Sequence, residues 1–355
     1  MKTRQIHFIK WCLKLHLHDP TLASLDMDHR NFIMACFAVS LTSNETIFCK
    51  TIKSCTVSLY LSDAAKLSIL SKLPDPTKNK FNQRSQYISN VLAEHKRWES
   101  MPNRREPLNF AIVQQAQINL TKNGTSSFND SLPQALGDWF LIGLVTGIRK
   151  SEWCQDRSHS SKKDITRNID GSSSAFILSD FTFENKRGVR RDNDRSTSIN
   201  DAEIVKIRWR FQKNNDNGQV LTYTANNTNP QFCPVRAAMR IRARAIYLRV
   251  PPNLPIAVYM TPRGSSEYID DAHVCSELRL LASQVYNITD KDELKRFTCH
   301  SFRVGACVLL HEANKAPDFI KFRIRWKSDS YLMYLRNTPK LAHQHNSAID
   351  MALEF

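Results

Sequence analysis

The chain changes its hydrophobic pattern part-way along its 355 residues, and that change limits the folds open to it. In the first third, apolar residues recur at helical spacing, which predicts helices at residues 26–41, 56–73 and 85–98. The polar, turn-rich stretch NLTKNGTSSFNDSL at 119–132 predicts a linker. Because the length also fits two domains, the sequence predicts a helical domain at 1–118, this linker, and a second domain at 133–355.

The second domain combines helices with a few short strands. The pattern predicts a largely buried helix at 134–155 with a glycine interruption, a helix at 233–249, and mostly helix from 276 onward. Alternating residues predict strands at 175–184, 205–212 and 219–225, the last two joined as a β-hairpin. This is a mostly helical α+β pattern. With only nine glycines, and neither G-x-G-x-x-G nor G-x-x-x-x-G-K, the sequence does not fit a Rossmann or P-loop fold.

Charge and composition narrow the function. The net charge of +16 favours a polyanionic partner such as nucleic acid, although a generally solvated basic surface is the alternative. No apolar run approaches the 18 or so residues of a membrane helix, so we expect no membrane partner. The N-terminal MKTRQIHFIKWCLKLHLHD interrupts its apolar residues with Lys and His, unlike a signal peptide. Nine scattered cysteines without a C-x-x-C pair favour reduced thiols over a zinc or disulfide scaffold.

Three short segments carry residues suited to chemistry. They are TGIRKSEW at 146–153, CHSFRVGA at 299–306 and IRWKSDSYLMYLR at 324–336. Each is weak evidence alone. His300 and Arg303 are equally explained by one exposed helical turn, and Arg149 with Glu152 by a local i, i+3 ion pair. Their order along the chain, with a lysine-bearing hairpin between them, is more specific.

This ordered set resembles the tyrosine recombinases, or phage-integrase family. Their signature is an Arg in a T-G-x-R-x-x-E box, a hairpin Lys, an H-x-x-R box, a His or Trp, and a late Tyr. All five parts occur here in that order. The segments HKRWESMPNRREP, GIRKSEWCQ, RFQKNNDNGQ, CPVRAAMRI and RWKSDSYLMYLR resemble the eukaryotic, Crypton-type branch of the family, and the resemblance covers most of the chain.

The resemblance implies a catalytic set without a metal or cofactor. Its members are Arg149, Lys213, His300, Arg303, Trp326 and Tyr334. Guanidinium groups suit a phosphate because each is a planar, permanently charged fork, so Arg149 and Arg303 would neutralise the charge of the transition state. His300 would take the proton of the nucleophile or hold a phosphate oxygen. Trp326, in the His/Trp position, can donate one hydrogen bond but cannot shuttle protons.

Several of these assignments have alternatives. Lys213 would be the general acid, but residue chemistry alone favours a solvated hairpin lysine, and Lys206 is the fallback. Tyr331 and Tyr334 lie close to one turn apart in a predicted amphipathic helix. The spacing from the Trp position favours Tyr334 as the nucleophile and Tyr331 as a packing residue. Glu152 would orient Arg149.

Other basic residues are candidates for contacts with DNA. Arg236, Arg240 and Arg244 recur at i, i+4 and predict a stripe that follows DNA phosphates, with a solvated helix face as the alternative. The basic loop at 186–195 fits a DNA contact, a nuclear-localisation patch or a solvated loop. In the first domain, Lys96 and Arg97 are candidates for DNA contacts, whereas Trp98 is expected in the core or an interface.

The resemblance also implies an overall activity. It implies a helical, SAM-like core-binding domain followed by an α+β catalytic domain with a small antiparallel sheet, together clamping double-stranded DNA. The reaction would be recombination by transesterification through a 3′-phosphotyrosyl link, in a synaptic tetramer, for a mobile element in the nucleus. Two alternatives stay open: a catalytically silent, domesticated DNA-binding protein, and a type IB topoisomerase-like relaxing enzyme.

Overall fold

The computed structural model describes most of the chain as two compact units, Met1–Pro102 and Asn103–Phe355. The described residues are 3–43, 52–100, 104–122, 131–155, 173–191, 201–212 and 216–335, with 342–344, 346–347 and 349. The fold is mostly helical with small antiparallel sheets, as the sequence predicts. No helix in these ranges is long and apolar enough to cross a membrane.

The first unit is helical. Its helices are α1 (Thr3–Lys14), α2 (Met27–Thr42), α3 (Ser54–Leu70) and α4 (Gln86–Trp98). The three predicted helices are confirmed to within about three residues at each end. The Asp26 carboxylate fixes the start of α2 by accepting a hydrogen bond from the His29 backbone N–H at 2.8 Å. The buried face consists of apolar residues at helical spacing, among them Phe8, Met34, Phe37, Leu61 and Ile88.

The second unit surrounds a three-stranded sheet with helices. The helices are α5 (Phe110–Lys122), α6 (Leu132–Thr146), α7 (Lys150–Trp153), α8 (Pro234–Tyr247), α9 (Asp271–Tyr286), α10 (Lys291–Leu294), α11 (Ser301–Glu312) and α12 (Pro317–Arg323). Short 3₁₀ turns occupy Leu178–Asp180, Pro230–Phe232 and Asp329–Tyr334. The strands are β1 (Phe181–Glu184), β2 (Ile204–Trp209), β3 (Gln219–Thr224), β4 (Val258–Met260) and β5 (Ser266–Tyr268).

The sheet confirms the predicted hairpin and adds a second one. Strands β1, β2 and β3 pair antiparallel in that order, and Val205 lies between Phe183 and Tyr223. Strand β1 is shorter than predicted because a 3₁₀ turn, closed by the Asp180 carboxylate on the Ile177 N–H at 2.9 Å, precedes it. The β4–β5 hairpin was not predicted, since three residues are too few for an alternating pattern.

The units divide at Pro102, earlier than the predicted boundary at 118. Residues 104–118 belong to the second unit because Leu108, Ile112 and Val113 are fully buried in its core. Helix α5 extends through 119–122, the start of the predicted linker, and residues 123–130 lie outside the described residues. Burial of a short helix against a distant core is not visible in its own sequence.

The helix predicted at 134–155 is two helices, separated at Gly147. This residue caps α6 in the left-handed conformation, with φ of 61°. A Cβ at this position would lie 3.0 Å from Ile324 Cγ2 and 3.2 Å from the Ala306 side chain, so both backbone conformation and space require glycine. The break redirects the chain so that Arg149 lies at the start of α7.

Candidate active site

The second unit contains a cleft of about 910 Å³ lined by residues from distant parts of the chain. Of the sequence-predicted catalytic set, the lining includes Arg149, His300, Arg303, Trp326 and Tyr334. Further cations line it as well: Arg105, Lys150 and Lys327. The fold therefore brings together, in one positively charged cleft, the residues that the motif order grouped.

The two candidate tyrosines have different environments. Tyr334, at the end of a 3₁₀ turn rather than in the predicted helix, has its hydroxyl 3.0 Å from His300 Nε2. Its ring stacks on Trp326, with centroids 5.0 Å apart and planes 3° apart. Tyr331 is only 5% exposed and packs in a small core with Ile324 and its neighbours. This geometry places Tyr334 in the cleft and Tyr331 in a packing position.

His300 is placed to exchange a proton with the Tyr334 hydroxyl. Burial lowers the pKa of its imidazole, and the nearby cations Arg303, Arg105 and Arg149 lower it further. The ring is therefore neutral at neutral pH. With its hydrogen on Nδ1, Nε2 can accept the hydrogen bond from the tyrosine and then the proton itself.

Arg303 lies in the first turn of α11 and is almost fully buried beside the cleft. Its Nη1 donates to the Gly147 carbonyl at 2.9 Å, and its guanidinium lies 4.6 Å from the centre of the Trp326 ring. Burial, with the neighbouring Arg149 and Arg325, lowers the pKa of Arg303 to about 9. The group stays charged at neutral pH, and an anion bound in the cleft would relieve the repulsion between these cations.

Arg149 is oriented by Glu152. The carboxylate accepts from Arg149 Nη1 at 2.9 Å through one oxygen and from the Arg149 backbone N–H at 2.8 Å through the other. Glu152 is buried, whereas the Arg149 side chain is 20% exposed at the cleft. The local i, i+3 ion pair between Arg149 and Glu152 is therefore present. The same ion pair fixes the orientation of Arg149 at the cleft.

Sequence reasoning missed Arg325. Its side chain is fully buried and donates to Glu152 Oε2 at 2.9 Å, so the carboxylate is shared by two arginines. The available signal was its position between the apolar Ile324 and Trp326, in a segment already singled out. An arginine between two apolar residues of a buried segment needs an anionic or carbonyl partner, because burying an unpaired charge is costly.

The proposed general acid, Lys213, lies outside the described residues. The fallback, Lys206, is held by Glu184 on the neighbouring strand, with 2.5 Å between Nζ and the carboxylate oxygen. The other end of the hairpin turn reaches the cleft, since Asp216 forms a 2.7 Å ion pair with the lining residue Lys327. Lys206 is thus engaged within the sheet, and the role of Lys213 stays a prediction.

The predicted arginine stripe on α8 is not a continuous exposed surface, because Arg244 is buried, and contact of Arg236 with DNA stays a prediction. Arg244 is only 1% exposed, and its Nη2 donates to buried Asp138 at 2.7 Å. Arg240 Nε donates to the other oxygen of the same carboxylate at 2.6 Å. Arg236 alone of the three is exposed. The i, i+4 spacing identified one helix face but not the carboxylate from α6 that this face meets.

The candidate contacts of the first unit are at its surface. Lys96 and Arg97 are exposed at the end of α4, and Arg97 pairs with Glu94 at 2.8 Å. Trp98 is 83% exposed and donates its indole N–H to Glu94 at 2.9 Å, which contradicts a place in the core. In the basic loop, 186–191 is exposed, and 192–195 lies outside the described residues.

Comparisons with known proteins find likeness only at the level of solved structures. No protein-family model matches the chain, and no curated protein matches it. The chain is similar to the Tn1549 transposon integrase in complex with transposon right end DNA (13% identity, TM-score 0.46, 98% of this chain and 93% of that chain). It is also similar to the XerA recombinase (10% identity, TM-score 0.38, 97% of each chain). Likenesses this distant do not determine what this chain does.

Proposed function

We propose that the protein is a DNA strand transferase that cuts and rejoins DNA by transesterification through Tyr334. The observation that carries this proposal is the 3.0 Å contact between the Tyr334 hydroxyl and His300 Nε2, in a cleft also lined by Arg149 and Arg303. A neutral tyrosine is a weak nucleophile and needs a base beside it. A phosphodiester needs fixed cations, since charge builds on its oxygens during the reaction.

The proposed reaction exchanges one phosphodiester for another. Tyr334 Oη attacks the scissile phosphorus, and its proton passes to His300 Nε2. The bond to the 5′-oxygen breaks, which leaves a 3′-phosphotyrosyl link and a 5′-hydroxyl after that oxygen takes a proton from a general acid. We assign this last role to Lys213. Attack by the 5′-hydroxyl of a partner strand reverses the steps, and the reaction needs no ATP because the tyrosyl ester conserves the bond energy.

Other cleft residues bind the phosphate and orient the nucleophile. Arg149 and Arg303 each offer a planar fork of N–H donors to the non-bridging oxygens. The Trp326 ring, stacked on Tyr334 and lying against Arg303, fixes the nucleophile relative to the cation that holds its target. Such orientation removes much of the entropic cost of bringing two reactants together.

The proposed partner is double-stranded DNA, and the proposed role is site-specific recombination for a mobile element. The net charge of +16 and the lining cations Arg105, Lys150 and Lys327 support a polyanionic substrate. The segment resemblances favour a Crypton-type recombinase that acts in the nucleus and assembles into a synaptic tetramer. Exposed Lys96 and Arg97 are the proposed contacts of the first unit.

A nicked suicide duplex tests the reaction. The full chain is incubated with it in the presence of a chelator, and label on either side of the nick identifies the attached strand. We expect a covalent complex on the 3′-phosphate side that is released by a strand with a free 5′-hydroxyl. Tight binding without a covalent complex would support the silent DNA-binding alternative. Relaxation of supercoiled plasmid without exchange between duplexes would support the topoisomerase-like one.

The general-acid role of Lys213 has a separate test. A duplex in which sulfur replaces the leaving 5′-oxygen needs little proton donation, because a thiolate is a far better leaving group. We expect Lys213→Ala to cleave the normal duplex slowly and the sulfur-containing duplex at close to the wild-type rate. Lys206→Ala, the matched control, should cleave both normally. Equal slowing of Lys213→Ala on both duplexes would contradict the assignment of Lys213 as the general acid.

A further inference from the structure

Arg325 is a buried cation that meets three different parts of the second unit. Its Nη2 donates to Glu152 Oε2 at 2.9 Å, and its Nη1 donates to the Thr146 carbonyl at 3.2 Å. Its guanidinium lies 3.5 Å from the centre of the Trp209 ring. One side chain thus joins the end of α6, helix α7 and strand β2.

The backbone of Arg325 meets both catalytic arginines. Its carbonyl accepts from Arg303 Nη2 at 3.3 Å and, more weakly, from Arg149 Nη2 at 3.4 Å. Its φ of 57° lies in the left-handed region that side chains rarely adopt. This turn sends the Arg325 side chain into the protein, while the next residue, Trp326, lies against Tyr334 in the cleft.

The cations two residues before and two residues after Arg325 bind the same hairpin. Arg323 donates to the Thr222 carbonyl at 3.2 Å and lies over the Tyr223 ring of β3. Lys327 pairs with Asp216 in the turn between β2 and β3. Arg323, Arg325 and Lys327 are three cations at every second position. Arg325 differs from Arg323 because it also contacts Glu152, Arg149 and Arg303 and can therefore affect their positions.

We propose that Arg325 is a positioning residue that sets Arg149 and Arg303 at the angle needed to hold the scissile phosphate. It acts through Glu152, which it shares with Arg149, and through its own carbonyl, which both arginines contact. This role rests on the proposed strand transfer. A lysine cannot replace it fully, because a single ammonium lacks the planar fork that serves Glu152 and the Thr146 carbonyl together.

The kinetic test uses single-turnover formation of the covalent complex on the suicide duplex. Arg325→Gly suits the left-handed backbone and removes only the side chain. We expect its rate constant to fall about 10²-fold, the loss expected when reacting groups are displaced by about 1 Å. The DNA concentration for half-saturation should change little. Guanidinium ion should restore part of the rate, compared with sodium chloride at equal ionic strength because DNA binding depends on salt.

Arg323→Met is the matched control, since Arg323 binds the hairpin but does not reach the cleft arginines. It should form the complex at the wild-type rate. Arg325→Lys, which keeps the charge, should be intermediate and provides the test if Arg325→Gly does not fold. A wild-type rate constant in Arg325→Lys and Arg325→Gly would overturn the proposal. So would equal slowing by Arg323→Met.

A second measurement does not depend on activity. Burial lowers the pKa of His300, and the cationic side chains of Arg303, Arg105 and Arg149 lower it further. Displacement of the Arg149 and Arg303 side chains in Arg325→Lys should raise that pKa toward its ordinary value, although no charge is lost. Titration of His300 by NMR in the DNA-free protein checks this, with Arg323→Met expected to match the wild type. An unchanged His300 pKa in Arg325→Lys would contradict the proposal. Absence of a covalent complex with the wild-type protein would instead count against the proposed function alone.

Discussion

Asp138 and Glu152 are both buried carboxylates that bind two arginines, yet their surroundings differ. At Asp138, Arg240 and Arg244 each bind one carboxylate oxygen, and Arg244 is itself buried. This group joins α6 to α8, with the Arg240 side chain 26% exposed. At Glu152, one arginine is buried as well, but Arg149 reaches the cleft.

The arginines near Asp138 and those near Glu152 differ in whether they line the cleft, where they could bind a further anion. Near Glu152 a third arginine, Arg303, donates to backbone carbonyls, so three cations are arranged around one carboxylate. Burial, together with the neighbouring cations, lowers the pKa of Arg303 to about 9. Guanidinium groups arranged in this way are suited to bind a phosphate. Both carboxylates bind more than one arginine, but only the Glu152 group has arginines, Arg149 and Arg303, that line the cleft.

The largest expected effect is on stability at the Asp138 group. Asp138→Asn removes the negative charge that both Arg240 and buried Arg244 bind, and breaking a buried pair in this way costs about 3–5 kcal/mol. Chemical denaturation measures the loss. The rate constant for covalent complex formation at a temperature where the variant is folded should be unchanged. A slower reaction by the folded variant would mean that the two groups are not separate.

Arg303→Lys should show the opposite pattern from Asp138→Asn, with its main effect on the reaction rate. Loss of one arm of a fixed phosphate donor is expected to slow covalent complex formation about 10²–10³-fold. Single-turnover kinetics at saturating DNA give this value. Arg240→Lys, the matched arginine of the Asp138 group, should react at the wild-type rate. Equal rates for Arg303→Lys and the wild type would contradict a role for Arg303 in holding the phosphate.

The pH dependence should reflect His300. Its folded-state pKa lies below the unfolded value, because burial and neighbouring cations disfavour its charged form. Its contribution to stability is therefore fully present above the unfolded value of about 6.5 and is lost as pH falls through the folded value. Melting temperatures between about pH 5 and 8 should fall more steeply in acid for the wild type than for His300→Gln. Parallel curves would contradict the lowered pKa.

The same residue predicts the acid side of the rate profile. In the proposed reaction neutral His300 accepts the tyrosine proton, so the rate of covalent complex formation should stay level down to about pH 6.5 and decline only as pH falls through the lowered pKa of His300. His300→Gln should be slower at all pH values and lack this decline.

The smallest expected effect separates the members of the α8 series. Arg236 is exposed, so Arg236→Ala should change the free energy of unfolding by at most about 0.5 kcal/mol. Arg244→Ala, on the same helix face, should cost several kcal/mol because it leaves the buried Asp138 with one cation fewer. Urea unfolding of the two variants compares them directly. Similar losses would mean that burial does not distinguish these arginines.

The sequence predicted the parts of the site that lie within short motifs. The TGIRKSEW and CHSFRVGA segments each contribute an arginine to the cleft, and the spacing from Trp326 favoured the tyrosine that faces His300. It did not reveal the partners of Arg244, because Asp138 lies 106 residues earlier in the chain. Arg325 was missed for a similar reason, since Glu152 is 173 residues away.

The fold shows the same limit. Helices with clear periodicity in the first unit were predicted nearly to their ends, because local spacing and caps determine them. The break at Gly147 depends on contacts with Ile324 and Ala306, and the place of α5 depends on burial in a distant core. Features that arise from contacts between distant segments were therefore the ones that local patterns did not predict.

The most direct test of the account compares Tyr334→Phe with Tyr331→Phe on the suicide duplex, with DNA binding measured for both. Phenylalanine keeps the ring that stacks on Trp326 and removes only the hydroxyl near His300. We predict that Tyr334→Phe binds DNA but forms no covalent complex, while Tyr331→Phe still forms one. Loss of the complex in Tyr331→Phe alone, or its formation by Tyr334→Phe, would contradict the assignment of Tyr334 as the nucleophile.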